Sequence, residues 1–200
     1  MKICNKYLKS VISIIFINIC ILTGSTYAQN QTKYLITYPT TKSEKTFRNE
    51  WEGELNIKIS HYNKVFNDLS LGISFDYSRF QIDKSKISFL DTKSHHLTPS
   101  VLLNYNLKLI EPVYILPIIE IGYSWILYRS KKDSDAVKEL DESGISFEPG
   151  ININYFITRN IGIGVEGSYK IIFEHFGDDS FDEDDTIRYF KIGIGIIFSL

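Results

Sequence analysis

Phe147 to Phe173 reads FEPGININYFITRNIGIGVEGSYKIIF, and it sorts into two interleaved sets. One set is Phe147, Pro149, Ile151, Ile153, Tyr155 and Ile157, then Ile161, Ile163, Val165, Gly167, Tyr169, Ile171 and Phe173. The other is Glu148, Gly150 and Asn152, then Gly162, Gly164, Glu166, Ser168 and Lys170. The first set is uncharged and mostly apolar, and the second is polar or small. A period of two is the mark of a strand whose two faces meet different surroundings. Two such runs, separated by the short polar link at 158–160, read as an antiparallel hairpin.

The same sorting extends through the chain in both directions. Its apolar row runs Trp51, Gly53, Leu55, Ile57 and Ile59, then Leu69, Leu71, Ile73, Phe75 and Tyr77. It continues through Leu97, Pro99, Val101, Leu103, Tyr105 and Leu107, then Val113, Ile115, Pro117, Ile119, Ile121, Tyr123 and Trp125. The last run is Phe190, Ile192, Ile194, Ile196, Phe198 and Leu200. None of these positions is charged, whereas the interleaved row holds Glu52, Glu54, Lys58, Asp76, Glu120, Glu148, Glu166, Lys170 and Lys191.

Links alternate in length as well. Residues 61–68, 109–112 and 158–160 are short, while 80–96, 128–144 and 174–186 are long and polar. Short turns at one end and long connections at the other are the pattern of a barrel that crosses a membrane. Closure with an even strand number needs one more strand before Trp51. Lys33–Tyr38 is the candidate, with residues 39–50 as its connection. The expectation is an all-β, eight-stranded antiparallel up-and-down transmembrane β-barrel.

The amino end is read separately. Lys2, Lys6 and Lys9 precede an apolar stretch from Val11 to Leu22, and Thr26-Tyr27-Ala28 offers a cleavage site before Gln29. This reads as a signal peptide over 1–28, with the barrel domain over 29–200; the stretch is short for a spanning helix. Cys20 lacks the small residues that a lipoprotein signal requires before it. Without the segment the chain keeps 22 − 3 = 19 bases against 24 acids, a formal charge of −5. Both cysteines, Cys4 and Cys20, leave with it, so closure and packing rather than disulfides must hold the exported fold. The near-neutral balance of the whole chain, −2, gives no basic excess for a nucleic-acid partner.

Alternation alone does not say which face points out. A soluble barrel around an apolar ligand would carry the same pattern reversed, with Trp51 and Trp125 buried. Three features favour the apolar face outward. The polar row is rich in Gly, Ser and Asn, which suits the narrow interior of an eight-stranded barrel. Aromatics gather near strand ends: Trp51, Tyr77, Tyr123, Trp125 and Tyr169 toward the long connections, Tyr155 and Phe198 toward the short turns. Such girdles mark the two membrane interfaces. The apolar row is also empty of charge, as hydrocarbon contact demands.

Carried by Leu116 to Tyr123 and by the hairpin from Glu148 to Gly167, the chain resembles the small outer-membrane β-barrel family of Gram-negative bacteria, the porin-like proteins with an OmpA-type eight-stranded barrel. The resemblance covers about Trp51 to Leu200, and the Ile-, Asn- and Lys-rich usage is Bacteroidetes-like. It implies location in the cell outer membrane, outer-membrane lipid and lipopolysaccharide as surroundings, and the barrel-insertion machinery as an assembly partner. That machinery reads a C-terminal aromatic, for which Phe198 stands in here, before Leu200. A monomer is expected.

Candidate sites follow from the inward row. Glu120, Glu148, Glu166, Lys170 and Lys191 come from four successive strands and are expected to pair as a structural network filling the lumen, because buried charges require partners. A narrow ion path is the alternative. The acidic run Asp178 to Asp185 lacks the glycine and distal glutamate of a calcium loop, and charge runs are usually solvated. Lys131, Lys132 and Lys138 could pair with it or with lipopolysaccharide phosphates. Enzymes that act on lipid A occur on such barrels and need a nucleophile beside a base. Ser94 or Ser180 with His95, His96 or His175 are the residues available, without a recognisable motif. The expectation is a non-enzymatic structural or surface-interaction protein with no catalytic residue, cofactor or metal.

Overall fold

The computed structural model describes residues 30–40, 51–82, 92–130, 141–174 and 186–199. The signal-peptide reading, the acidic run, Lys131, Lys132, Lys138, His175, Ser180 and Leu200 lie outside these residues. The strands are β1 (Asn30–Thr40), β2 (Trp51–Phe66), β3 (Leu69–Ile82), β4 (Thr92–Tyr105), β5 (Leu107–Ile110), β6 (Val113–Ser130), β7 (Asp141–Phe156), β8 (Ile161–Glu174) and β9 (Thr186–Ser199). Every pairing is antiparallel, in the order β4-β3-β2-β1-β9-β8-β7-β6-β5, and β4 also pairs with β6. β5 continues β4 past Asn106, so the sheet is a closed barrel of eight staves. Closure leaves each stave paired on both sides, which satisfies the backbone without water.

The first stave is longer than the expected 33–38, because pairing to β9 holds it from Gln31 to Thr40. The expected link at 61–68 shrinks to Asn67-Asp68, since β2 runs on to Phe66. Asn67 takes a positive φ of 42°, a conformation asparagine tolerates better than most residues. The long connections likewise lose residues at both ends to the strands that flank them.

The two faces differ sharply. Ile194 is 70% exposed on the outside, while Lys58 is 1% exposed within. Ile121, Ile145, Ile153, Ile163 and Ile192 share the outer face, and Asn56, Ser74, Thr98, Ser124 and Asn152 share the inner one.

One stretch departs from the expected parity. Trp51, expected outward in the girdle, is buried inside the barrel at 8% exposure. A register shift between Gly53 and Leu55 inserts an extra residue into β2 against β3. Such a bulge reverses the facing of every residue before it. Trp51 and Gly53 therefore turn inward, and Glu52 turns outward with Glu54 at the rim, opposite to the sequence reading. Gly53 is the residue that permits this approach, because a Cβ there would stand 1.9 Å from the Pro39 carbonyl oxygen.

Candidate functional site

Alternation delivers one inward side chain from every second residue, and eight tilted staves bring those side chains together at mid-height. Lys58 of β2 stands at the centre. Its ammonium pairs with Glu120 of β6, with Glu166 Oε1 of β8 at 2.7 Å and with Glu148 Oε1 of β7 at 3.4 Å. Lys33 of β1 donates to Asn152 and lies 3.3 Å from Glu166 Oε2. Lys191 of β9 pairs with Asp76 of β3 and with Glu148 Oε1 at 2.6 Å. Lys170 of β8 lies 3.6 Å from Asp76 Oδ2 and donates to Thr98 Oγ1 of β4 at 2.8 Å. Every stave thus contributes a member.

Neutral donors complete the set. Ser74 donates to Glu120 Oε2 at 2.7 Å, Ser168 to Glu148 Oε1 at 2.8 Å, and Asn56 and Ser78 donate to Asp76 Oδ1 at 2.5 and 3.0 Å. The ionisable members are Lys33, Lys58, Lys170 and Lys191 against Asp76, Glu120, Glu148 and Glu166, four bases to four acids, so their formal charges cancel. Charges this deep are tolerable only when paired and hydrogen-bonded.

The structure places the five sequence-predicted charges in this one assembly. Sequence reasoning missed Lys33, Lys58 and Asp76 as members. Lys58 and Asp76 were already on the polar row, so their parity was the available signal. Lys33 lies on the weakly alternating first strand, where the facing of a side chain is poorly specified.

Glu120, Glu148 and Glu166 bring carboxylate oxygens within 4.8 Å of one another, the one grouping among the described residues that could hold a metal ion. Lys58 is paired to all three, so its ammonium supplies the positive charge that such a cluster demands.

Toward the long connections the interior turns apolar. Trp51, Phe80, Ile82, Ile126, Ile172, Ile187 and Tyr189 form a buried cluster, with Tyr128 packed against it. Phe80 meets Tyr189 edge-on at 5.0 Å and lies 4.7 Å from the His96 ring. Beside this cluster Ser94 Oγ and His96 Nε2 are 2.8 Å apart, within the reach a nucleophile and base require. Both residues are fully buried, so an acyl carbonyl would reach them only by displacing packed aromatics. His95 faces outward instead, with Tyr77 Oη 2.8 Å from its Nδ1.

Of the other residues read as a girdle, Tyr123, Trp125, Tyr155, Tyr169 and Phe198 are exposed on the outer face and Tyr77 is half-buried there. Tyr123 and Trp125 pack edge-on at 5.3 Å, and Phe198 packs on Tyr34 at 6.0 Å. The two tryptophans therefore divide, Trp51 inside and Trp125 outside.

Neither a protein-family model nor a curated protein matches the chain. Solved structures do match over most of its length. A major outer membrane protein from Thermus thermophilus superposes with a TM-score of 0.56 at 10% identity, covering 86% of this chain and 99% of that one. Neisserial surface protein A gives 0.52 at 16% identity, over 86% and 97%. The outer membrane protein W of Escherichia coli gives 0.52 at 10% identity, over 88% and 100%. At these identities the likeness is one of fold, the eight-stranded all-antiparallel barrel.

Proposed function

We propose that the chain is an integral outer-membrane β-barrel protein with a non-enzymatic structural or surface-interaction role, its long connections facing the cell exterior. The observation that carries the reading is the inversion of its faces: isoleucines outside, ion pairs inside. Burying one large apolar side chain is worth about 1.5–3 kcal/mol, so a water-facing belt of isoleucines would be a standing drive to aggregate, whereas a bilayer absorbs it.

The dimensions agree. From Val113 to Trp125 along β6, at about 3.3 Å per residue and a tilt of about 40°, the outward row spans roughly 30 Å, the thickness of a bilayer's hydrocarbon core. Tyr155 and Phe198 then sit at one interface and Tyr77, Tyr123, Trp125 and Tyr169 at the other, the places where amphipathic rings are stable. The fold shared with outer membrane proteins supports the same location. A soluble barrel enclosing an apolar ligand would need Trp125 and the outer isoleucines inside.

The filled lumen supports a scaffold rather than a pore. Ion pairs at mid-height and an apolar cluster above them leave no room for a wide aqueous path. Surface interaction is then the work of the long connections, and the charge network fixes the barrel that displays them. The lipid and lipopolysaccharide of the outer membrane surround it, the insertion machinery delivers it, and it works as a monomer.

The test is fractionation combined with heat-modifiable migration in detergent. The chain should sediment with outer membranes and run faster unheated than boiled; release as a soluble periplasmic protein would overturn the proposal. Comparison of lipid A acylation with and without the chain addresses the enzymatic alternative, and an altered acyl pattern would establish it.

A further inference from the structure

Pro99 stands inside β4, Pro117 inside β6 and Pro149 inside β7. Proline has no N–H to give a ladder. In a closed barrel every stave is central, so each of these residues interrupts the pairing on one side. The interruptions fall on the two seams that bound the β6–β7 hairpin. Between β4 and β6 the pairs run from Thr92↔Ser130 to Leu97↔Trp125 and resume at Ser100↔Gly122, passing over Thr98-Pro99 and Tyr123-Ser124. Pro117 lies in a second gap on that seam, between Asn104↔Ile118 and Leu107↔Ile115. Between β7 and β8 the pairs stop at Phe147↔Ile171 and resume at Gly150↔Ser168, passing over Glu148-Pro149 and Tyr169-Lys170. Within the hairpin itself the ladder is unbroken from Val113↔Tyr155 to Leu127↔Asp141.

Side chains hold what the ladders leave open. At mid-height the hairpin turns Glu120 and Glu148 inward, and the cations that meet them stand on other staves. Lys58 of β2 pairs with both, while Lys191 of β9 and Lys170 of β8 reach Glu148 at 2.6 and 3.8 Å. Ser74 of β3 and Ser168 of β8 donate to the same two carboxylates. Across the gap beside Pro99, Thr98 Oγ1 and Ser124 Oγ are 2.7 Å apart.

We propose that the β6–β7 hairpin is a movable panel of the barrel wall, hung on two proline-interrupted seams and latched from inside by Glu120 and Glu148. Its two staves move as a unit because the ladder they share is the intact one. Fewer backbone bonds cross the bounding seams, so these part first when the grip on the carboxylates is lost. The charge network then has two duties. Glu120 and Glu148 lock the panel, whereas Asp76 of β3 and Glu166 of β8 join staves outside it.

The experiment is pulsed electron–electron distance measurement on the full chain in lipid vesicles, with pairs of spin-labelled cysteines in a variant that carries no other cysteine. Ile121→Cys with Ile36→Cys spans the barrel from the panel to β1. Val101→Cys with Ile194→Cys spans it from β4 to β9, between the residues that face Ile121 and Ile36 in the ladders. Both pairs should give one narrow distance with the network intact. Glu120→Gln/Glu148→Gln should add a longer population to the first pair alone. Asp76→Asn/Glu166→Gln removes as many carboxylates from the other staves and should leave both pairs narrow. Adding Pro99→Val/Pro149→Val to the Glu120→Gln/Glu148→Gln variant should abolish the longer population, because each seam regains an N–H. An unmoved panel pair, an equal change in both pairs, the same response to Asp76→Asn/Glu166→Gln, or a longer population that persists with the valines would each overturn the panel. Heat-modifiable migration reports folding on every sample. Should Glu120→Gln/Glu148→Gln not fold, amide exchange decides. With the network intact, Pro99→Val/Pro149→Val should slow exchange around Gly122–Ser124 and Ser168–Lys170 about fivefold for each hydrogen bond regained, and unchanged exchange would overturn the proposal.

Discussion

Replacing Lys58 with methionine removes the one ammonium that contacts Glu120, Glu148 and Glu166 together. Glu166 keeps Lys33, and Glu148 keeps Lys191 and Lys170. Glu120 is left with the Ser74 hydroxyl at 2.7 Å. The methionine fills most of the lysine volume, so the loss is electrostatic rather than steric. Breaking a buried ion pair by removing one partner costs about 3–5 kcal/mol, a large part of the roughly 5–15 kcal/mol that separates most folded and unfolded chains. The assay is urea unfolding of the barrel in lipid vesicles, followed by heat-modifiable migration and tryptophan fluorescence. The unfolding free energy should fall by that amount, read as a lower urea midpoint with the slope unchanged. Adding Glu120→Gln should then recover at least half of the loss, because the amide is neutral and still meets Ser74. A loss below about 1 kcal/mol, or no recovery in the double variant, would refute the claim that the network holds the staves together.

Four further outcomes are expected. Ile194→Lys, on the outer face, should lower stability in vesicles by about 2–4 kcal/mol, measured by the same unfolding assay, while Thr98→Ser inside should cost far less. With Trp125→Phe the remaining Trp51 fluorescence should resist quenching by brominated lipid, and with Trp51→Phe the remaining Trp125 should be strongly quenched. Gly53→Val should destabilise the barrel by about 1–3 kcal/mol in the unfolding assay, since its side chain is driven against the Pro39 carbonyl. Ser94→Ala and His96→Ala should leave lipid A acylation identical by mass spectrometry, because that pair is sealed inside.

Much of the barrel was legible because a strand in contact with two unlike surroundings records both in alternate residues. Ile151, Ile153, Ile163 and Val165 against Asn152, Gly164 and Glu166 show this without ambiguity. The first strand was harder: Tyr34, Ile36 and Tyr38 do alternate with Lys33, Leu35 and Thr37, yet Leu35 breaks the contrast by being apolar and inward. Trp51 was misplaced because a bulge adds a residue without changing composition, and nothing in Gly53-Glu54-Leu55 announces it. The apolar cluster was hidden for a related reason. At the long-connection end both rows are apolar, as in Ile126-Leu127 and Ile171-Ile172, so the pattern carries no contrast. Strand ends were underestimated because polar residues continue to pair once neighbouring staves are fixed. Of the charge network, facing could be read residue by residue. Convergence on Lys58 could not, since it depends on the stagger between staves.

The most direct test of the inverted faces is a scan of β6 by single cysteines from Ile119→Cys to Ile126→Cys, in a variant that carries no other cysteine. Each is spin-labelled, and collision with oxygen, which concentrates in lipid, is compared with collision with a water-borne nickel complex. Positions 119, 121, 123 and 125 should favour oxygen, while 120, 122, 124 and 126 should be shielded from it, a period of two in that phase. The opposite phase, with the even positions meeting oxygen, or no period at all, would contradict the account.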